Sequence, residues 1–347
     1  MNVHRFVRFE SVAGPLTPAA QAAEAAAAAR KPIKLVIQIP CRNEASQLPA
    51  TLAALPRILP GVNEVEWLVI DDGSDDGTAA VAVEHGAHVV LRLSEHHGLA
   101  RAFAAGLEVA CRRGADIVVN LDGDNQYDAR AMPALVAEIL EGRADIVIGC
   151  RPIDRIAHFS WAKKRLQNIG SSVVRAVAGV RVDDATSGFR AYSREAALRL
   201  NVYSRYTYTL ETLIQAGQTG LRVGSVPVGV NPPTRPSRLI RSIPVYVGRS
   251  GLAILRAFLT YRPLEFFLLP AAFSGLAGVG IGAGFLFEYA RGDGQGHVQS
   301  LILAAVLILC AGAATTIGLL AHQLAVNRRL LEELQQDRRR KEWRAAP

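Results

Sequence analysis

Two stretches near the carboxyl end of this 347-residue chain restrict its fold more than any other feature. Phe266–Phe287 and Ser300–Ala321 each run for 22 residues without a charged side chain. About 20 apolar residues in a helix cross the hydrocarbon layer of a bilayer. Two buried helices of a globular core are the alternative. Both runs are charge-free and only a short polar loop, Glu288–His297, lies between them, which favours a membrane hairpin. The loop holds one arginine, Arg291, and two acids. The flanks carry Arg249, Arg256 and Arg262 on one side and Arg328, Arg329 and Arg338–Lys341 on the other. The positive-inside rule therefore places both flanks, the region before them and both termini in the cytoplasm.

Composition supports the same reading. The formal net charge is +8. Residues 226–347 carry 14 Lys and Arg against 7 Asp and Glu, whereas residues 1–225 carry 25 against 24. A nucleic-acid-binding protein would place such an excess on a folded face with aromatics or a known module; here it brackets the apolar runs. A chain that is 50% hydrophobic is not a disordered one. Cys41, Cys111, Cys150 and Cys310 lie far apart, which excludes a disulfide scaffold or zinc ribbon and suits a reducing compartment.

The remaining segments divide the chain. Residues 1–30 are Ala-rich, interrupted by Pro15, Pro18 and Glu24, and read as a tail or short surface helix rather than a signal peptide. Residues 31–232 are expected to form the main globular domain. Residues 233–264 form juxtamembrane amphipathic helices, with Arg238, Arg241, Arg249 and Arg256 among Leu239, Ile240, Leu252, Leu255 and Phe258, divided by Pro244. Such helices lie on an anionic membrane face. Residues 265–325 are the hairpin, and 326–347 a basic cytoplasmic tail. Gly278, Gly280, Gly282 and Gly284 follow no strand and lack the G-x-G-x-x-G spacing of a nucleotide loop. The pairs Gly278/Gly282 and Gly280/Gly284 fit close helix packing, within the hairpin or between subunits.

From Lys34 onward, short apolar runs alternate with helical patterns. Strands are expected at Leu35–Ile39, Glu66–Ile70, Ala87–Leu91, Asp116–Leu121, Asp145–Gly149 and Leu221–Val226. Helices are expected at Asn43–Leu59, Thr78–His85, Gly98–Arg113, Ala129–Glu141, Trp161–Ala178 and Tyr208–Gln215, with Asp183–Tyr192 a polar loop entering a strand. Continuous apolar strands separated by helices predict an α/β fold, Rossmann-like, with a mostly parallel sheet covered on both faces. Such sheets bind ligands beyond the carboxyl ends of their strands. The polar clusters Cys41-Arg42-Asn43-Glu44, Asp71-Asp72, Asp122-Gly123-Asp124 and Arg151 fall at those ends.

Asp122-Gly123-Asp124-Asn125-Gln126 offers two carboxylates and an amide as hard oxygen ligands, suited to Mg²⁺ or Mn²⁺ bridging to a diphosphate. An EF-hand is excluded, because Tyr127 and Pro133 stand where its glycine and glutamate belong. In Asp71-Asp72-Gly73-Ser74-Asp75-Asp76-Gly77-Thr78, the first two acids can accept bonds from a base or ribose, while the rest read as turn and helix cap. His96 and His97 read as residues that open the next helix rather than as a catalytic base.

In order along the chain stand Ile39-Pro40-Cys41-Arg42-Asn43-Glu44, Asp71-Asp72-Gly73-Ser74-x-Asp76-Gly77-Thr78, Asp122-x-Asp124-x-Gln126 and Thr186-Ser187-Gly188-Phe189-Arg190. This set resembles family 2 glycosyltransferases of the GT-A fold. The nearest branch is the polyprenyl-phosphate glycosyltransferases, such as dolichol-phosphate mannose synthase and its relatives with a C-terminal transmembrane hairpin. The resemblance covers roughly Lys34 to Ala325. It implies that Pro40, Arg42, Glu44, Asp71, Asp72, Gly123, Arg101 and Arg190 bind the nucleotide sugar, and that Asp122, Asp124 and Gln126 hold Mg²⁺ or Mn²⁺. It further implies that Arg151 and Arg165 meet acceptor and diphosphate groups, and that Arg235 stands on a loop near the diphosphate. Where the family usually reads R-x-G-x-S-K, this chain reads Arg235-Pro236-Ser237-Arg238. The Q-x-x-R-W motif of processive synthases is absent, which argues against a polysaccharide synthase.

The implied reaction is inverting, metal-dependent transfer of a sugar from a GDP- or UDP-sugar to a polyprenyl monophosphate at the cytoplasmic face. A homo-tetramer is the assembly the resemblance implies. One alternative is transfer to a lipid hydroxyl such as diacylglycerol, which needs a base, with Glu211 as candidate. Another is a non-catalytic GT-A-like membrane scaffold, which the intact Asp122, Asp124 and Gln126 disfavour.

Overall fold

The computed structural model describes residues 31–152, 171–172, 175, 178–180, 182–202, 208–232, 248, 251–252, 255, 258–292 and 298–345. The N-terminal 30 residues, expected as a tail, lie outside that set, as do Arg165 and Arg235.

Seven strands are described: β1 (Lys34–Cys41), β2 (Glu64–Asp71), β3 (Val89–Arg92), β4 (Ile117–Asn120), β5 (Ile146–Cys150), β6 (Arg190–Ser193) and β7 (Val223–Pro227). They form one sheet in the order β3-β2-β1-β4-β6-β5-β7. The helices packed on it are α1 (Leu48–Ala54), α2 (Thr78–Glu84), α3 (Leu99–Arg112), α4 (Met132–Leu140), α5 (Arg194–Arg199) and α6 (Thr209–Gln218). Side chains alternate across a strand, so β1 serves two cores. Val36 packs with Phe103 and Leu107 of α3 and Leu213 of α6. Leu35, Ile37 and Ile39 pack with Leu48 and Leu52 of α1 and Met132 and Leu135 of α4. Both faces are covered, which is why the strand reads as an almost unbroken apolar run.

The sheet is parallel except at β6, which runs antiparallel to both β4 and β5. That reversal positions the site. The carboxyl ends of β1, β2, β4 and β5 lead into Arg42, Asp72, Asp122 and Arg151, and β6 brings its amino end, with the loop 184–188, to the same edge.

The helix expected over Asn43–Leu59 is shorter. It begins at Leu48 with proline in its first turn and stops at Ala54. Residues 42–47 instead interlock with the loop after β2. The Asn43 N–H donates to Ser74 Oγ at 2.9 Å, the Glu44 N–H to Thr78 Oγ1 at 3.0 Å, and the Asp75 N–H to Asn43 Oδ1 at 2.9 Å.

Two long helices follow, α7 (Pro263–Ala290, 28 residues) and α8 (Val298–Ala345, 48 residues). At 1.5 Å per residue they are about 42 and 72 Å long. Both are long and apolar enough to cross a membrane, and only 11% of each apolar window is buried, unlike a core helix. They pack on each other through small residues. A Cβ placed on Gly278 would fall 3.0 Å from the Ala304 carbonyl oxygen, and one on Gly275 3.4 Å from the Ala311 methyl. Gly282 faces Ala304 as well, so the Gly278/Gly282 pair serves the hairpin, while Gly280 and Gly284 meet nothing within 4 Å. Of the amphipathic stretch expected before α7, the described positions 248, 251, 252, 255 and 258–261 are helical.

The basic segment expected as a tail is part of α8, and it returns to the catalytic domain. Trp343 is 5% exposed. Arg194 of α5 donates to both the Ala115 and Trp343 carbonyls, and Arg340 pairs with Glu195. Arg328, nearer the apolar part of α8, lies over the Tyr261 ring at 4.3 Å.

Candidate active site

The Asp122-Gly123-Asp124 turn leaves β4 at the centre of the carboxyl edge. Thr51 of α1 donates to the Gly123 carbonyl at 3.0 Å, and a Cβ at Gly123 would lie 2.5 Å from Cys41 Sγ. Only glycine lets the turn approach β1 this closely. Asn125 adopts a left-handed φ of 55°. Asn231 closes the turn from outside, donating from Nδ2 to the Asn125 and Tyr127 carbonyls at 2.9 and 3.2 Å, and its N–H to the Gln126 carbonyl at 2.9 Å. Asn231 thus lies directly beside Gln126, while Arg235 is outside the described residues.

Burial and the neighbouring Asp124 charge push the Asp122 carboxyl up from its usual range to about 7, against the opposing pull of Arg151 and Arg190. Two adjacent acids in a partly buried turn are mutually unfavourable when both ionised. A divalent cation relieves that repulsion, so the donor set fits Mg²⁺ or Mn²⁺, with Gln126 adding a neutral oxygen.

The loop 184–188 faces this turn. A Cβ on Gly188 would fall 2.5 Å from Asp122 Oδ2. Arg151 leaves the end of β5 and donates to Asp184 from Nε at 2.7 Å and Nη2 at 3.1 Å, and to Thr186 Oγ1 at 3.0 Å. Burial opposes the charge on Arg151, but Tyr127 and Asp184 hold it firmly protonated. Burial likewise opposes ionisation of Asp184, yet Arg151 and Thr186 keep its carboxyl below the usual range.

Arg190 corrects an expectation. Predicted to meet the donor, it is wholly buried beneath the site. Its guanidinium donates to the Ala185, Ser187 and Thr209 carbonyls and to Thr212 Oγ1, all at 2.8–3.0 Å. A planar fork with five N–H groups suits a loop full of carbonyls. Its charge still acts on Asp122 through space.

Asp71 ends β2, Asp72 follows it, and the two are 1% and 3% exposed. Asp71 accepts the Ser74 N–H at 2.9 Å. Asp72 accepts the His97 and Gly98 N–H groups at 2.8 and 2.9 Å and bonds the His96 ring at 2.8 Å, fastening the start of α3 to β2. Pro40 and Glu44 are buried beside this edge and Arg42 is exposed. Arg101 lines a cavity of about 390 Å³ with His97, Arg339 and Trp343, between α3 and the end of α8. Glu211, on α6, acts electrostatically on the Tyr261 hydroxyl.

Sequence reasoning missed Asp184, Tyr127, Asn120, Tyr208 and Asn231. Asp184 stands two residues before the recognised Thr186-Ser187-Gly188 stretch, a proximity that marked it. The others act through contacts between distant segments and left no local signal.

The fold and family are shared with known proteins. The family described as Glycosyl transferase family 2 matches residues 36–200. The polyprenol monophosphomannose synthase of Mycolicibacterium smegmatis is 30% identical over 219 residues, covering 60% of this chain and 81% of that one. The undecaprenyl-phosphate mannosyltransferase of Micrococcus luteus is 30% identical over 207 residues, covering 56% and 83%. Glucosyl-3-phosphoglycerate synthase from Mycobacterium tuberculosis, solved with Mn²⁺ and UDP-glucose, shares the fold at a TM-score of 0.51 and 22% identity, covering 68% and 81%.

Proposed function

The chain belongs to glycosyl transferase family 2, and from that premise we propose that it transfers a sugar from a nucleoside-diphosphate donor to a polyprenyl monophosphate, with inversion, at a membrane face. The observation that carries the reading is the union of one site and one anchor. An Asp122–Asp124 turn suited to a metal-bound diphosphate lies in a domain that is followed in the chain by two membrane-length apolar helices. The names of two relatives supply the acceptor class.

Asp122, Asp124 and Gln126 would hold Mg²⁺ or Mn²⁺. Bound there, the ion would supply positive charge to neutralise the departing diphosphate. The chain's own residues do the rest. The edge formed by Pro40, Arg42, Glu44, Asp71 and Asp72 receives the nucleoside. Arg151, fixed by Asp184, keeps a permanent positive charge beside the Asp122 turn, where negative charge must be tolerated. Arg165 and Arg235 are the further cations proposed for the acceptor phosphate and diphosphate. An acceptor phosphate oxygen attacks the anomeric carbon on the face opposite the diphosphate. The bond from that carbon to the diphosphate oxygen breaks as the new carbon–oxygen bond forms, and its electron pair leaves with the nucleoside diphosphate. A phosphate monoester has a second pKa of about 6 and is largely ionised near neutrality, so the attack needs no general base.

The lipid tail of such an acceptor stays in the bilayer, so the catalytic domain must sit at the membrane surface. With α7 and α8 spanning as a hairpin, the domain and the end of α8 would lie on one side, and the basic flanks support the cytoplasm as that side. Replacing Asp124 with alanine tests the reading: lipid-linked sugar formation is expected to cease while the protein stays folded, and retained transfer would remove the metal assignment.

A further inference from the structure

The loop that faces Asp122 is held by a buried polar clamp with a defined geometry. The Gly188 N–H donates to Tyr127 Oη at 2.9 Å. The Gly188 carbonyl accepts from Asn120 Nδ2 at 2.9 Å and from Tyr208 Oη at 3.2 Å. Asn120 Nδ2 also lies 2.8 Å from Tyr208 Oη, and Gln38 Nε2 donates to Asn120 Oδ1 at 2.9 Å, which fixes the orientation of the Asn120 amide. Gln38, Asn120 and Tyr208 are fully buried. The Tyr208 ring stacks on Phe103 of α3, centroids 3.9 Å apart and planes within 4°. Both backbone polar groups of Gly188 are therefore satisfied by three side chains, Tyr127, Asn120 and Tyr208.

The Asp122 carboxyl occupies the space that a side chain on Gly188 would need. The three atoms nearest a Cβ placed on Gly188 all belong to Asp122, at 2.5, 2.9 and 3.0 Å. Gly188 is not among the residues with positive φ, so the glycine is required by this approach rather than by backbone conformation. The two backbone groups of Gly188 are both paired in a low-dielectric interior, where a satisfied polar group holds its position strongly, while Gln38 Oε1 behind them has no partner among the described residues.

We propose that the Gly188 peptide is the floor on which the Asp122 carboxylate rests, and that Asn120 and Tyr208 are positioning residues that set the height of that floor and so aim Asp122 at the divalent cation. The inference rests on the proposed role of Asp122 as a metal ligand. It adds a reason for a buried tyrosine just before α6 and a buried asparagine in β4 to matter to chemistry they do not touch. In Gly188→Ala, the added methyl displaces the carboxylate. In Tyr208→Phe, the ring stack on Phe103 remains and only the hydroxyl that supports the floor is lost.

The test is Mn²⁺ binding by electron paramagnetic resonance on the full chain in nanodiscs, with UDP or GDP present, alongside circular dichroism. Gly188→Ala is expected to weaken Mn²⁺ binding more than about tenfold, and Tyr208→Phe about fivefold, the value of one hydrogen bond. The spectrum of the remaining bound Mn²⁺ should change in both. Leu107→Ala, which loosens the same core but leaves the clamp intact, is expected to bind Mn²⁺ like the wild type. Wild-type affinity in folded Tyr208→Phe, or an equal loss in Leu107→Ala, would overturn the proposal, and the tyrosine variant decides even if the alanine variant fails to fold. Asp122→Asn separates the two levels. If it binds Mn²⁺ normally, the metal reading falls and the floor with it. If it loses Mn²⁺ while Gly188→Ala and Tyr208→Phe do not, only the floor falls.

Discussion

Arg151 and Asp184 meet at the carboxyl edge of the sheet, Arg151 Nε 2.7 Å from an Asp184 oxygen whose side chain has no solvent exposure. The pair ties the end of β5 to the start of the loop that carries Thr186 and Gly188. Breaking a buried pair strands a charge, which costs more than the pair contributes. Asp184→Asn is expected to destabilise the domain by about 3 kcal/mol in chemical unfolding. Replacing both partners with apolar residues of similar volume should recover most of that loss, because no unpaired charge remains.

The Asp122 carboxyl, held near 7, gives metal binding a pH dependence. Below that value the metal-free site keeps a proton that the cation must displace. Mn²⁺ affinity is expected to fall about tenfold per pH unit below 7 and to level off above it. Without metal the sign for stability is opposite to that of a salt-bridged acid. The folded pKa lies above the unfolded value of about 3.8, so stability declines as pH rises from about 4 to 7. Titrations of Mn²⁺ binding and of unfolding between pH 5 and 8 check both slopes.

The two glycine pairs in α7 make contrasting predictions. Gly278 lies against the Ala304 carbonyl and Ile308, whereas Gly280 meets nothing within 4 Å. Gly278→Leu is expected to force the helices apart at a cost of about 1–3 kcal/mol. Gly280→Leu should leave the hairpin intact. Cysteine cross-linking between α7 and α8 in membranes reads the difference.

The end of α8 is predicted to be a structural member of the catalytic domain. Trp343→Ala removes a large buried side chain, a change that costs about 3–5 kcal/mol in a packed core. Faster hydrogen exchange in α5 and in the last turns of α8 is the expected signature. Unchanged exchange would show that the Arg340–Glu195 and Arg194–Trp343 contacts do not hold the helix.

Much of this molecule is legible in its sequence because the signals are local. The runs of β1, β2 and β4 are largely apolar, and the acids that follow them stand within the next three positions. The two spans announce themselves by length. What escapes is set by contacts between distant segments. Arg190 belongs to a recognised stretch, but whether its guanidinium faces a ligand or the Ala185 and Ser187 carbonyls depends on the direction of β6. The charges of residues 338–341 read as a solvated tail, and only the fold shows that Arg340 finds Glu195 some 145 positions away. Asn120, Gln38 and Tyr208 are polar residues in apolar surroundings, which marks them as paired without naming the partner.

The most direct measurement of the central claim is the chemical identity of the labelled product. Membranes containing the chain are incubated with labelled UDP- and GDP-sugars and a polyprenyl monophosphate. The account predicts label in a lipid fraction that mild acid releases and alkali does not, dependent on Mg²⁺ or Mn²⁺ and absent from Asp124→Ala membranes. Label in an alkali-labile glycerolipid, or an acid-labile product that Asp124→Ala forms equally well, would contradict it.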